Sequence, residues 1–213
     1  MRLKFLLPAA FAVLAAPALA GQVSFSGWEE QRFALFSKVN FSGQGARLSI
    51  AADDAASLTY SRLPRSEWGA RAASWTWAVQ QSVPATDLTR KGGDDRNIAL
   101  YFVFLPEARA EALSGARVSR LLQQDDVRTL VYVWGGSHGR GARLSSPYLG
   151  PRGQTVVLRG AGTGQARENV DLAGDYARAF GGAPGALVGL AVSADSDDTD
   201  SRIRAVVEGL ALR

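Results

Sequence analysis

The segment Ala73-Ser74-Trp75-Thr76-Trp77-Ala78-Val79-Gln80 alternates between apolar and small or polar side chains. A period of two is typical of a β-strand with one buried face, so the two tryptophans point in the same direction. Residues 202–211 alternate in the same way, with Ile203 and Val207 on one face. The two segments therefore predict half-buried strands and a fold built mainly of β-structure.

Working outward from the tryptophans, four further runs are apolar on both faces and predict buried strands, at 98–105, 130–134, 155–158 and 187–192. Weaker patterns predict strands at 27–33, 46–50 and 58–63. One helix is predicted after Pro106, and a second is predicted to be capped by Asn169 and to end at Gly181. Many short strands with one or two short helices predict a mainly β protein, an antiparallel β-sandwich of jelly-roll type.

The composition removes several kinds of chemistry. The 213 residues include no Cys and one His, His138. Disulfides, thiolate catalysis, Cys-ligated zinc and iron–sulfur clusters are therefore excluded, and any Ser-His-Asp mechanism would have to use His138. His138 stands in a glycine-rich stretch that is typical of a flexible connection, so we assign no catalytic residue.

The N-terminus has the pattern of a secretory signal peptide. A short basic start precedes an apolar run, and Ala18-Leu19-Ala20 is a small-x-small ending. We expect cleavage before Gly21, a single β-sandwich domain over residues 21–213, and a periplasmic or secreted protein. The apolar run is shorter than the ~20 residues that a membrane span needs, so no membrane span is predicted.

The charge pattern argues against a nucleic-acid partner. The formal net charge is +4, and removal of Arg2 and Lys4 with the signal peptide halves it. The remaining basic residues are dispersed among acidic ones, whereas phosphate binding needs a concentrated basic face. The partners we expect are a glycan or another small polar ligand, with an envelope protein as a further alternative.

Several motifs occur in a fixed order along the chain: 75–79 (WTWAV), 91–95 (KGGDD), 101–104 (YFVF), 132–135 (YVWG), 169–171 (NVD) and 194–199 (ADSDDT). This ordered set resembles the bacterial secreted family known as domain of unknown function 3047, from about Trp28 to the C-terminus. The resemblance implies a jelly-roll sandwich similar to galactose-binding-like and other carbohydrate-binding modules, and it implies no established activity. The chain departs from the family pattern in one respect. We expect an arginine within the strand that follows the two aspartates, whereas here Arg96 comes directly after Asp95.

Two acidic segments are the main candidates for a site. Asp195, Asp197, Asp198 and Asp200 stand within six residues, and a bound Ca²⁺ would relieve the repulsion among their carboxylates. The alternative is a solvated turn in which these side chains bond the local backbone. We predict Asp195, Asp197 and Asp198 as the metal ligands if calcium binds; no other cofactor is predicted.

The other acidic segment follows Gly92-Gly93 and precedes a buried strand. Asp94 and Asp95 are placed to accept hydrogen bonds from sugar hydroxyls, or to form a glycine-assisted turn with an ion pair to Arg96. If both acidic segments lie on one rim of the sandwich, that rim is the predicted site. A tryptophan would supply a stacking surface; Trp75 and Trp77 fit the core better, and Trp68 is the tryptophan most expected to be exposed.

The sequence thus predicts an exported protein without catalytic activity that binds a glycan or another polar ligand at an acidic rim. The predicted ligand-binding residues share a loop or strand-end position and are Asp94, Asp95, Arg96, Trp68, Asp195 and Asp198. A glycan hydrolase or lyase that uses paired carboxylates is the main alternative, since it needs the same residue types.

Overall fold

Two β-sheets form the computed structural model, which describes residues 21–32, 39–116, 120 and 123–213. The predicted signal peptide and Phe33 lie outside these residues. In chain order the first strands are β1 (Gly21–Gln22), β2 (Glu29–Arg32), β3 (Asn40–Gln44), β4 (Arg47–Asp53), β5 (Ala56–Arg62), β6 (Ala72–Gln81) and β7 (Arg96–Leu105). The later strands are β8 (Arg128–Gly135), β9 (Arg143–Ser146), β10 (Gly150–Arg159), β11 (Gly164–Asp171), β12 (Ala186–Asp195) and β13 (Arg202–Leu212).

The two sheets pack face to face as a β-sandwich, which confirms the predicted class. One sheet has the order β11-β6-β13-β4-β3, with β1 also paired to β13, and the other has the order β2-β5-β12-β7-β8-β10-β9. Every described strand pair is antiparallel except β8 with β10, which run parallel. The prediction of an antiparallel sandwich was therefore wrong for this pair. Strand β9 separates β8 from β10 in the sequence and pairs antiparallel with β10, so that β10 runs in the same direction as β8.

The tryptophan pair lies in the core between the sheets. Trp75 and Trp77 are each 1% exposed, and their rings meet edge to face with centroids 5.4 Å apart. From the opposite sheet, Phe102 and Tyr132 pack against Trp75. The alternation that predicted strand β6 therefore serves burial, in keeping with the large apolar area of aromatic side chains.

Two α-helices have both ends within the described residues, α1 (Glu107–Ala112) and α2 (Leu172–Phe180). Helix α1 begins after Pro106 as predicted. Helix α2 begins later than predicted because Asp171, not Asn169, is its N-cap and accepts a hydrogen bond from the Gly174 amide. Asn169 is still extended and pairs along β6 as part of β11, an edge strand whose many polar side chains hid it from the sequence analysis. Among the described residues, neither helix has the length and apolar character to cross a bilayer.

The alternation within β7 also defines the outer face of the seven-stranded sheet. Leu100 and Phe102 point into the core, so Ala99, Tyr101 and Val103 point to the opposite side. Helix α1 and residues 65–68 cover one end of this sheet, and the acidic segments lie at its other end.

Candidate functional site

The two predicted acidic segments lie side by side. Strands β7 and β12 are antiparallel neighbours, and their register pairs Arg96 at the start of β7 with Asp195 at the end of β12. The Thr199 amide donates to Asp95 Oδ2 at 2.9 Å, and the Thr199 hydroxyl donates to the same oxygen. The Asp198 amide donates to Asp95 Oδ1 at 3.3 Å. These bonds join segments that are 104 positions apart in the sequence.

We call this arrangement the acidic rim, comprising Asp94, Asp95, Asp195, Asp197 and Asp198. It was expected on condition that the two segments met on one edge of the sandwich, and the geometry fulfils that condition. Whether these carboxyl groups bind a ligand stays a prediction.

Arg96 is the buried centre of the rim. Its Nη1 donates to Asp94 Oδ2 at 2.7 Å and lies 3.1 Å from Asp195 Oδ2, while its Nη2 donates to the Tyr101 hydroxyl at 3.2 Å. Burial opposes the charge of Arg96, but Tyr101 and the two carboxylates outweigh it and raise the pKa of the guanidinium. With both Nη atoms bonded to the protein, Arg96 holds the carboxylates in position; direct contact with a ligand stays a prediction.

Asp195 is the carboxyl group of the rim that has a buried oxygen without a hydrogen-bond donor among the described residues. It is only 7% exposed, and its Oδ1 has no hydrogen-bond partner among the described residues. Its carboxyl group lies within hydrogen-bonding reach of that of Asp197, which has no proton to donate when ionised. Burial raises the pKa of Asp195 well above its ordinary value, Arg96 opposes this, and Asp197 and Asp95 add to it.

Three other carboxylates gather around one point. One oxygen each from Asp95, Asp197 and Asp198 lies within 4.8 Å of the other two. Asp95 is fully buried and the other two are exposed. Burial and the neighbouring Asp95, Asp197 and Asp94 raise the pKa of Asp198, although the Asp94 amide donates to it. The grouping differs from the predicted metal set, since Asp95 joins Asp197 and Asp198 and Asp195 borders them.

A groove with a volume of about 490 Å³ runs along the outer face of the seven-stranded sheet to the acidic rim. Its floor has adjacent side chains from four strands, because the register places Tyr60 beside Ala191, Ala191 beside Tyr101, and Tyr101 beside Val131. Further apolar lining residues are Leu58, Leu88, Val103, Val133 and Val188. A mostly apolar groove with a small number of polar groups is the usual form of a small-molecule site.

Three tyrosines border this groove, and the sequence analysis did not select them. Tyr148, at the turn between β9 and β10, is 52% exposed, and its hydroxyl donates to Asp94 Oδ1 at 2.9 Å. Burial, and to a smaller extent the hydrogen bond to Asp94, raises the pKa of Tyr148 to about 12, so the phenol remains protonated and donates. Tyr60 and Tyr101 lie on the floor. In β7, Tyr101 alternates with the core residues Leu100 and Phe102, and in β5, Tyr60 alternates with buried residues. This alternation is the sequence signal that could have indicated their outward direction.

The prediction that Trp68 is exposed at the site was wrong. Trp68 is 8% exposed, packs in a small apolar cluster with Ala110 and Leu113 near helix α1, and does not itself line the groove. Its Nε1 donates to the Leu63 carbonyl at 3.2 Å. The short 3₁₀ turn Arg65–Glu67 bends the chain so that the indole covers the start of β12, which the polar neighbours of Trp68 in the sequence did not indicate.

Fold and groove together define a β-sandwich domain with an acidic-ended groove on the outside of one sheet. The chain belongs to the family described as Protein of unknown function (DUF3047), whose model matches residues 26–211. The resemblance drawn from the motifs is thereby confirmed. A comparison with curated proteins found no match.

Solved structures share the fold: 27 chains match this one. Among them is the xyloglucanase domain of NopAA, a type three effector from Sinorhizobium fredii, in complex with cellobiose. The two chains are 10% identical with a TM-score of 0.50, and the likeness covers 93% of this chain and 99% of that domain. At this identity the likeness establishes the β-sandwich fold alone.

Proposed function

We propose that the groove binds a glycan chain without cleaving it. The observation that carries this proposal is the combination of a tyrosine-bearing floor with a carboxylate rim at its end. Tyrosine rings offer flat apolar surface to the carbon faces of sugar rings, and carboxylates accept hydrogen bonds from hydroxyl groups. The exposed Asp197 and Asp198 are the rim residues best placed to accept them.

The length of the groove favours a chain over a single sugar. Along β7, Arg96 pairs with Asp195 at the rim, and Val103 pairs with Thr129 toward the other end. Seven residues of strand span about 23 Å. Arg62 also lines the groove near this end, since it pairs with Gly189 of β12, which in turn pairs with Val103. A ligand with hydroxyl groups along its length would meet polar atoms at both ends.

Support for the glycan class also comes from the structurally similar xyloglucanase domain, which was solved in complex with cellobiose. For this chain the geometry favours binding over hydrolysis. Hydrolysis needs two carboxyl groups facing each other across space that a sugar can enter. Asp94 is 3% exposed and both its oxygens are bonded, one to Tyr148 and one to Arg96.

The experiment fills the groove without removing a native contact. Ala191 lies on the floor between Tyr60 and Tyr101, so Ala191→Phe projects a ring into the groove. The matched control is Ala51→Phe, another half-buried alanine on the outer face of the six-stranded sheet. Titration calorimetry with cellobiose, cellohexaose, xyloglucan oligosaccharides and peptidoglycan fragments measures the affinity.

We expect one of these glycans to bind wild type, with the longer oligosaccharide of a series binding more tightly. Ala191→Phe should weaken that binding at least ~10-fold, because the ring occupies the space of the ligand, and Ala51→Phe should not change it. Equal affinity in both variants, or no binding by any of the four probes, contradicts the proposal. Release of reducing ends during the titration would favour the hydrolase alternative.

Export is part of this proposal, since a glycan of the cell envelope or of the surroundings would be met outside the cytoplasm. The N-terminal pattern supports it, and N-terminal sequencing of the protein from the periplasm or medium tests for cleavage before Gly21. Docking of an envelope protein has less support. Of the residues that the structure describes, Tyr148 is the one exposed large hydrophobic side chain, and a docking face needs a contiguous apolar patch.

A further inference from the structure

The three carboxylates of Asp95, Asp197 and Asp198 have the spacing of ligands around one ion. Their nearest oxygens lie within 4.8 Å of one another. Two oxygens on opposite sides of a Ca²⁺ ion are about 4.6–5.2 Å apart, twice the usual Ca–O distance. One anchor, Asp95, is buried and fixed by Thr199, while the two exposed carboxylates leave room for water to complete the shell.

An independent observation concerns the neighbouring Asp195. This residue is 7% exposed, one of its carboxyl oxygens has no donor among the described residues, and its carboxyl group lies against that of Asp197. A buried oxygen that lost its water without gaining a partner destabilises a fold. Of the five carboxyl groups of the rim, Asp94 and Asp195 pair with the guanidinium of Arg96, so a bound cation would offset the negative charge of the other three.

We propose that the acidic rim binds Ca²⁺ through Asp95, Asp197 and Asp198, with Asp195 as a fourth oxygen donor beside them. Carboxylate oxygens on irregular turns suit calcium, which accepts six to eight ligands in flexible geometry. Mg²⁺ fits less well because it demands shorter bonds and near-octahedral angles. The ion joins the connection before β7 to the connection after β12 and fixes the polar end of the groove.

This site goes beyond glycan binding and is tested without any glycan. Protein freed of metal by a chelator and dialysed is titrated with CaCl₂ and, separately, MgCl₂ by calorimetry, and its thermal midpoint is measured with each ion. We expect Ca²⁺ to bind with a measurable heat and to raise the midpoint, and Mg²⁺ to bind at least ~10-fold more weakly.

The variants Asp197→Asn and Asp198→Asn each remove one charged ligand from an exposed position, so folding should be retained. Each should weaken Ca²⁺ binding about tenfold or more. Asp200→Asn is the matched control: it removes the same charge from the same turn but lies outside the cluster, and asparagine tolerates the positive φ of 46° there. Its affinity should equal wild type.

Three results would overturn the proposal. One is the absence of any Ca²⁺ heat or thermal shift in the wild type. Another is equal binding of Mg²⁺ and Ca²⁺. The last is an equal loss of affinity in Asp200→Asn and Asp198→Asn, which would reveal diffuse attraction to negative charge instead of a defined set of ligands.

Discussion

Replacing Arg96 with methionine tests the arrangement of the acidic rim most directly. Methionine keeps much of the length of the arginine stem but removes the guanidinium that bonds Asp94 and Asp195. The side chains of this trio are 10% exposed or less, so water cannot replace the lost charge. Both carboxylates are then left in the protein without their cation.

The expected loss follows from this burial. Removing one partner of a buried ion pair costs about 3–5 kcal/mol of unfolding free energy, because the remaining charge is uncompensated. The matched control is Arg202→Met. Arg202 pairs with Asp53 at 3.0 Å, but the two side chains are 65% and 68% exposed, and exposed pairs contribute at most about 1 kcal/mol.

Urea unfolding at neutral pH, followed by tryptophan fluorescence, measures the difference. The protein is kept in chelator so that a bound cation does not replace the guanidinium. A double variant, Arg96→Met with Asp195→Asn, provides the second test. Because it removes one of the two carboxyl groups that lose Arg96 as their partner, it should recover at least ~1 kcal/mol relative to the sum of the two single losses.

The reasoning is refuted if Arg96→Met costs no more than Arg202→Met, or if the double variant shows no coupling. Either result would mean that the carboxylates of the rim reach solvent or other donors, and that Arg96 is not what holds them in place.

Two further predictions concern the rest of the fold. Burial would raise the pKa of Asp175, but bonds from Arg143, Tyr132 and Arg178 outweigh it and lower the pKa. The stabilisation this gives is complete above the pKa of the unfolded chain and is lost as the pH falls below about 4, so Asp175→Asn should flatten acid unfolding in that window, as measured by circular dichroism. Trp68→Leu should lower the urea midpoint, because it removes buried apolar volume, and should leave the affinity for any bound glycan unchanged. A loss of glycan affinity without a loss of stability would indicate that Trp68 belongs to the binding site after all.

Periodicity predicted the core strands because burial on one face imposes a period of two on the sequence. Strands β6 and β13 were predicted as half-buried strands, and both are strands of the six-stranded sheet with one face in the core. Strand β11 was not predicted because an edge strand exposes most of its side chains, and most positions of β11 are exposed. The parallel pairing of β8 with β10 escaped as well, since pairing partners are set by the path of the whole chain.

The candidate site was likewise predictable only where the signal is local in the sequence. The carboxylates of the rim were selected from the sequence because charge clustering is local, and their meeting follows from the neighbouring positions of β7 and β12. Alternation within β5 and β7 indicates that Tyr60 and Tyr101 face away from the core, but their meeting on one floor depends on the register of three strands, which the sequence does not reveal. Trp68 misled because polar neighbours in sequence do not reveal what a turn folds against.

The floor and the rim can be separated by experiment. Ala191 and Asp195 lie four residues apart on β12, about 13 Å along the strand, so a ring at Ala191 does not reach the carboxylates around Asp198. Ala191→Phe should therefore lose the glycan and retain Ca²⁺. Asp198→Asn should lose Ca²⁺, and its effect on glycan affinity decides the role of the ion. If glycan affinity is unchanged, the cation only links the two connections. If glycan affinity falls as well, the cation is part of the surface that binds the hydroxyl groups.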